Sequence, residues 1–398
     1  MTDLARAAPA NPHLSGTLRR SVTVGLIGFL TLVDLFATQA ILPSLASTYM
    51  VTPAQIGVAA NASTIGMAIA GLLAGAVGSK LERRRGVWLS LALLAIPTAL
   101  LASAPNLTVF ALLRIVQGLC MASAFTLTLA YLGERCSRAD AASAMAAYVT
   151  GGVASNLIGR LAAATVAGFA GAEASFYFFA GLNLAGAAVA YVVLSRTEPM
   201  AAADANGRHF WSAWAEHLAS RALRRAFVIG FLILFGFIGT FTYVGFVLAA
   251  PPLSLSMMAT GLVFFVFLPS MVTTPFAGGI SARLGARNAL PASMLFALAG
   301  LVLLVVPRLD AIVAGLVLVG IGTFFGQAAA TSYVGRIARS ERAAASGLYL
   351  SFYYCGGLAG AAVVGQLFDG LGWNAAVAGN AAALALAAII GRGLSEEE

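Results

Sequence analysis

The chain has 398 residues, 60% of them hydrophobic and only 10% charged, with a mean hydropathy of +0.91 and a formal net charge of +8. Soluble proteins carry about 25% charged residues, so a surface facing mainly water is excluded. The basic residues fall in short loops between apolar runs, with no continuous basic face, which argues against a nucleic-acid partner.

The first twenty residues are polar and place Arg19 and Arg20 just before an apolar run from Val22 to Ala46. A cleaved signal peptide has an apolar core of about 7–15 residues. This run is longer and holds Asp34 and Pro43, so it reads as a retained first helix. Twelve spans follow along the chain, roughly 21–46, 55–79, 86–104, 107–132, 142–169, 174–195, 225–249, 257–282, 288–307, 311–334, 345–368 and 373–393. Such lengths suit helices crossing a hydrocarbon core about 30 Å thick. Breaks at Ala104-Pro-Asn, Pro251-Pro252, Pro307-Arg and Asp369-Gly-Leu-Gly carry turn chemistry. The 43 glycines fit close helix approach in a bilayer. Cys120, Cys136 and Cys355 show neither disulfide nor metal spacing and read as packing residues.

With the amino terminus inside, alternate loops and both tails hold 20 of the 23 Lys and Arg residues, and the outward loops hold Arg308 alone. That asymmetry predicts cytoplasmic termini. The loop Gly75-Ala-Val-Gly-Ser-Lys-Leu-Glu-Arg-Arg-Arg-Gly86 recurs as Gly278-Gly-Ile-Ser-Ala-Arg-Leu-Gly-Ala-Arg287, setting Lys80 on Arg283 at an offset of 203. Tyr131-Leu-Gly133 likewise recurs as Tyr333-Val-Gly335, and Ala141-Ala-Ser143 as Ala344-Ala-Ser346. An all-α polytopic membrane protein is expected, built as two pseudo-symmetric six-helix bundles over 1–195 and 225–398. The segment 196–224 connects them. Trp211, Trp214 and Leu218 there share a helical face, followed by Arg221, Arg224 and Arg225. Two readings stand: a helix lying on the cytoplasmic membrane surface, or a loose linker.

Two arginines remain inside spans. Arg114, in Arg114-Ile-Val-Gln-Gly118, costs at least about 2.5–3.5 kcal/mol in hydrocarbon, so it faces a cavity or counter-ion, or snorkels to the outer surface. Asp34 is the sole acid within a span. Rise per residue sets Asp34, Arg114 and Arg160 at similar depth, so one acid and two bases share the first bundle, and Asp34 and Arg114 are candidates to pair. The stripe Gly151, Ser155, Gly159, Ala163 and Ala167 offers a face for close helix packing. Phenylalanines crowd the seventh and eighth spans (Phe231, Phe235, Phe237, Phe241, Phe246, Phe264, Phe265, Phe267), as cavity lining or as packing.

The loop Gly75–Arg85 resembles the signature between the second and third helices of the major facilitator superfamily. Arg114-x-x-Gln-Gly118 resembles the fourth-helix motif of its proton-coupled members. Asp34 through Leu42-Pro43 is similar to the first-helix motif of its drug:proton antiporter branch, and Arg160 with Ser346–Tyr354 resembles a group of bacterial inner-membrane efflux permeases. Two departures stand out. Ser79 occupies the place of the family's loop aspartate, with Glu82 three residues on, and the fifth span lacks the antiporter proline.

This resemblance implies the major facilitator fold, a bacterial inner-membrane location and a monomer without cofactor. It implies secondary transport of a small organic solute by alternating access, as proton-coupled efflux of drugs or metabolites. The alternative is proton-coupled uptake of an organic anion, which suits two intramembrane arginines against one aspartate. Asp34 and Arg114 are the proton-coupling candidates. Solute candidates are Arg160, Gln117, Asn156, Tyr243, Tyr349 and Tyr353. The gating loops comprise Gly75, Lys80, Glu82, Arg83, Arg84 and Arg85, with Arg283 and Arg287 in the second copy. No phosphate-binding loop, zinc-protease motif or nucleophile elbow is present, which argues against a primary pump and against an enzyme.

Overall fold

The structure is a computed structural model that describes residues 12–77, 82–135, 138–194, 210–338 and 341–394. Ser79 and Lys80 of the first loop, and 195–209 of the connector, lie outside the described residues. Every expected span forms a helix long and apolar enough to cross a membrane. In the first half, α1 runs over Pro12–Ala37 and continues through a tight turn, Thr38–Ile41, into Leu42–Tyr49. It is followed by α2 (Pro53–Asn61 and Ser63–Val77), α3 (Arg83–Leu101), α4 (Leu107–Arg135), α5 (Arg138–Ala170) and α6 (Ala172–Val193). A short connector helix, Phe210–Ala219, precedes the second half. That half contains α7 (Arg221–Ala249), α8 (Met257–Val263, Phe264–Phe267 and Leu268–Leu284), α9 (Ala286–Leu304), α10 (Leu309–Ile337), α11 (Arg342–Leu371) and α12 (Trp373–Arg392).

Local chemistry sets these boundaries. Pro43 has no N–H to donate to Gln39, and the chain before it tightens to 3-10 geometry, so α1 is interrupted at Thr38–Ile41. Thr52 and Gln55 form a capping box at the start of α2, with Pro53 in the first helical position. Ser220 accepts from Leu223 N–H at 3.3 Å, so α7 starts at Arg221, ahead of the expected residue 225. The three connector arginines therefore belong to the first turns of α7. Gly171, Gly285 and Gly372 have φ of +90°, +73° and +82° and turn the chain before α6, α9 and α12.

The halves repeat one packing pattern. In the first, α1 packs on α5, α2 on α4, and α3 on α4 and α6. The second pairs α7 with α11, α8 with α10, and α9 with α10 and α12. Small residues permit this closeness. A Cβ on Gly151 would lie 1.8 Å from the Gly25 carbonyl oxygen and one on Gly159 would lie 2.8 Å from that of Val33, so the stripe on α5 is the face seated on α1. Gly118 closes the Arg114 motif for the same reason. Its Cβ would lie 1.8 Å from Ser63 O, where α4 crosses the break in α2.

Contacts between halves are unequal along the bilayer normal. At the end away from the termini, α1 meets α7 through Thr38–Tyr49, and α5 meets the Met257–Val263 segment of α8. Tyr243 of α7 wedges there between Gly57 of α2 and Gly365 of α11, and its hydroxyl donates to Ala361 O. Asp369 of α11 accepts from Ala54 N–H at the start of α2, 3.2 Å from Oδ2. Nearer the termini α2 and α11 stay together, with Ser351 Oγ donating to Ala68 O at 2.8 Å. Among the described residues α4 shares no packed interface with α10 or α11. The distal end is closed by several helix pairs, and toward the termini the halves are held chiefly by α2 on α11.

Candidate functional site

Two polar clusters sit in this frame, on different faces of α1. The first lies inside the first bundle around Asp34, which is 3% exposed. Asp34 Oδ2 accepts from Asn183 Nδ2 of α6 at 2.7 Å, Thr98 Oγ1 of α3 at 2.9 Å and Gln117 Nε2 of α4 at 3.4 Å. Arg114 does not pair directly with this carboxylate, contrary to the depth argument. Its guanidinium takes the carbonyls of Ala60 (2.7 Å), Leu35 (2.9 Å) and Asp34 itself (3.2 Å), with Ser63 Oγ at 3.1 Å. The breaks in α1 and α2 explain this choice. Where i−4 bonding is interrupted, carbonyls lose their intrahelical donors and accept from a side chain instead. Gln117 joins the two groups, accepting from Arg114 Nη1 at 2.7 Å through Oε1 and donating toward Asp34 and Thr98 through Nε2. A cavity of about 10 Å³ touches Asp34, Thr98, Gln117 and Ser175. It is the size of one water and far too small for an organic solute.

The second cluster lies between the halves at the closed end. Arg160 of α5 is fully buried, yet among the described residues it makes no ion pair. Gln39 Oε1 accepts from its Nη2 at 2.5 Å, and the carbonyl and side-chain oxygens of Asn156 accept from Nη1 at 2.9 and 3.2 Å. Four rings surround the guanidinium carbon: Phe36 and Phe264 at 4.9 Å, Phe267 at 4.7 Å and Phe241 at 5.8 Å. Their π faces supply the negative potential that a carboxylate would otherwise give. Three of these rings come from α7 and α8, so the cage is complete only when the halves meet here. Gln39 also donates to Thr242 Oγ1 of α7 at 3.1 Å and to Asn61 Oδ1 of α2 at 3.2 Å, and Asn61 Nδ2 donates to the same Thr242 oxygen at 3.1 Å. Gln39 and Thr242 are 203 residues apart, the repeat offset, so this bond joins two equivalent positions. The same offset sets Phe237 on Asp34, Val317 on Arg114, Gly320 on Gln117 and Val363 on Arg160. Among the described residues, the buried aspartate and buried arginines belong to the first half.

Other expected site residues are dispersed. Tyr243 belongs to the closed end, and Tyr349 and Tyr353 stack on α11 with centroids 6.1 Å apart, both buried. Gly75 lies in the last turn of α2, at the end nearer the termini. Arg84 bonds the Tyr191 carbonyl of α6 (2.7 Å from Nη2) and lies over that ring, while Arg85 pairs with Glu82 at 3.0 Å. In this conformation both arginines are thus held within the first half, since their nearest acceptors are local. Arg83 is buried, whereas Arg283 and Arg287 are exposed. Residue-by-residue reading missed Gln39, Asn61, Thr98, Asn183 and Thr242. Their one signal was an amide or hydroxyl inside an apolar span.

Comparison with known proteins agrees with this architecture. The family profile of the Major Facilitator Superfamily matches residues 24–268 and 248–397. The chain belongs to the major facilitator superfamily. It is a multi-pass membrane protein and a secondary transporter, not an enzyme. Among relatives of this facilitator, the uncharacterized MFS-type transporter YybF of Bacillus subtilis is 26% identical over 87% of this chain and 86% of its own length. The inner membrane transport protein YnfM of Escherichia coli is 26% identical over 93% and 89%. In fold, this facilitator is similar to a bacterial homologue of the human lysosomal transporter Spinster in an inward-facing and occupied conformation. The TM-score is 0.78 at 14% identity, over 98% of both chains.

Proposed function

We propose that this facilitator couples a proton carried on Asp34 to movement of a small organic solute through the cleft between its halves. The observation that carries this reading is the setting of Asp34, a buried carboxyl whose Oδ2 takes three neutral donors and which reaches Arg114 only through Gln117. An ionised carboxylate satisfies all three donors. Among the described residues Oδ1 has no hydrogen-bond partner, so a proton can sit there while Oδ2 keeps its donors, and neutralising the carboxyl weakens all three bonds. Because α1 also carries Gln39 into the closed end, a shift of α1 on protonation alters the contacts of Gln39 with Thr242 and Arg160. With cytoplasmic termini, the closed end is the outer one, so this arrangement is shut toward the outside.

Efflux by antiport is the direction we favour, on the likeness of the Asp34 and Arg114 motifs to those of proton-coupled exporters. A second reading, uptake of an organic anion with a proton, is favoured by Arg160. When the rings of α7 and α8 withdraw, its guanidinium is left without a carboxylate and can take an anionic group. Transport into inverted vesicles across charged and neutral compounds, with and without a pH gradient, separates the two directions. Asp34→Asn should abolish gradient-driven accumulation while solute binding survives, and Arg160→Gln should weaken binding most for anions. Accumulation by Asp34→Asn in proportion to the pH difference would place the proton elsewhere.

A further inference from the structure

Arg283 and Arg287, in the second copy of the basic loop, take no part in the mechanism above. Beside them a cavity of about 400 Å³ runs along the outside of the second bundle, lined almost wholly by apolar side chains. Phe276, Ile280 and Leu284 form its α8 wall at four-residue spacing, facing Phe296 of α9 and Ile321 and Phe325 of α10. Phe276 and Phe296 are 63% and 56% exposed, so the groove opens outward. Its α9 wall packs on α8, α10 and α12, away from the first half. From Thr273 to Leu284 the α8 wall rises about 17 Å, close to half the hydrocarbon thickness of about 30 Å. That is the depth of one leaflet. Leu284, at the membrane-surface end, adjoins Arg283, and Arg287 lies in the first turn of α9, so both arginines belong to the membrane-surface end of the two walls and not to the lining itself. Both arginines are exposed, and among the described residues neither makes a hydrogen bond or ion pair.

We propose that this groove binds one anionic phospholipid from the leaflet on the side of the termini, its phosphate held by Arg283 and Arg287 and an acyl chain along α8. Two free guanidinium groups complement a headgroup of net negative charge and oppose the ammonium of a zwitterionic one. The apolar trough accounts for the acyl chain, whereas a free phosphate would leave it without a role. This site is independent of where the proton or solute binds.

The test uses the full chain, purified and delipidated, with native mass spectrometry counting bound dioleoyl phosphatidylglycerol against dioleoyl phosphatidylethanolamine. Each surface arginine contributes roughly fivefold, so a preference of about 30-fold for the anionic lipid is expected, falling to near parity in R283Q/R287Q. Both side chains are exposed, so the double variant should fold, which a monodisperse gel-filtration peak confirms. Ala292→Trp, filling the groove beside intact arginines, should lower retention at least tenfold. Equal retention of the two lipids, or undiminished phosphatidylglycerol on R283Q/R287Q, overturns the headgroup assignment. Unchanged retention on Ala292→Trp, or full competition by soluble glycerol phosphate, overturns the groove. Lipid counts do not depend on transport, so either failure leaves the proton-coupling proposal untouched.

Discussion

Replacing Gln39 by alanine should open the distal end. The side chain accepts a charge-assisted bond from Arg160 at 2.5 Å and donates across the halves to Thr242 at 3.1 Å. Losing the acceptor of a buried charged donor costs about 1.5–3 kcal/mol, and an interhelical bond within a membrane averages about 0.6 kcal/mol. Both losses fall on the closed state, because water reaches Arg160 once the rings part. The sum, about 2–4 kcal/mol, multiplies the minor open population by roughly 30- to 700-fold at 1.4 kcal/mol per decade. The assay is labelling of a single cysteine at Ala40, buried in the closed end, with Cys120, Cys136 and Cys355 replaced by serine. An impermeant maleimide is applied to intact cells. Gln39→Glu is the control: its carboxylate keeps Arg160 and can accept from Thr242 Oγ1 and Asn61 Nδ2, so the end should stay closed. A rise below threefold in Gln39→Ala, or an equal rise in Gln39→Glu, would refute this account of the closed end.

Gly118→Ala should destabilise the first bundle by at least about 1–3 kcal/mol, because its Cβ would fall 1.8 Å from Ser63 O between two packed backbones. Gly181→Ala, which would meet nothing within 4 Å, should stay within about 0.5 kcal/mol. Thermal unfolding followed by tryptophan fluorescence compares them, and equal midpoints would contradict the crossing of α2 and α4. Single cysteines at Ala172 and Gly370 should react with the impermeant reagent in intact cells, and one at Ser395 should be shielded. Labelling at Ser395 with protection at the other two would invert the orientation.

Much of this protein was legible in its sequence because a bilayer is a severe solvent. An apolar run must close its own backbone hydrogen bonds, so length and hydropathy dictate twelve helices before any contact is known. The repeated basic loop then divides them into two similar halves. Asp34, Arg114 and Arg160 stood out for the same reason, since a charge in hydrocarbon is costly and needs a local explanation. The stripe on α5 announced a close helix contact, though not that α1 would fill it.

What depth along a helix does not provide is azimuth. Asp34 and Gln39 are five residues apart on α1, which at 100° per residue turns them about 140° from each other. One side chain therefore enters the first bundle and the other enters the seam between the halves. The expected grouping of one acid and two bases divides accordingly. Arg114 goes to the backbone carbonyls released by the breaks in α1 and α2, and Gln117 stands between it and Asp34. Arg160 goes instead to Gln39 and an aromatic cage. Neutral groups such as Asn183 and Thr98 carry too small an insertion cost to be noticed in a hydropathy reading, yet they hold Asp34. Which neutral group meets which charge is decided when two helices are rotated against each other, and that rotation is a property of the packed bundle, not of any span read alone.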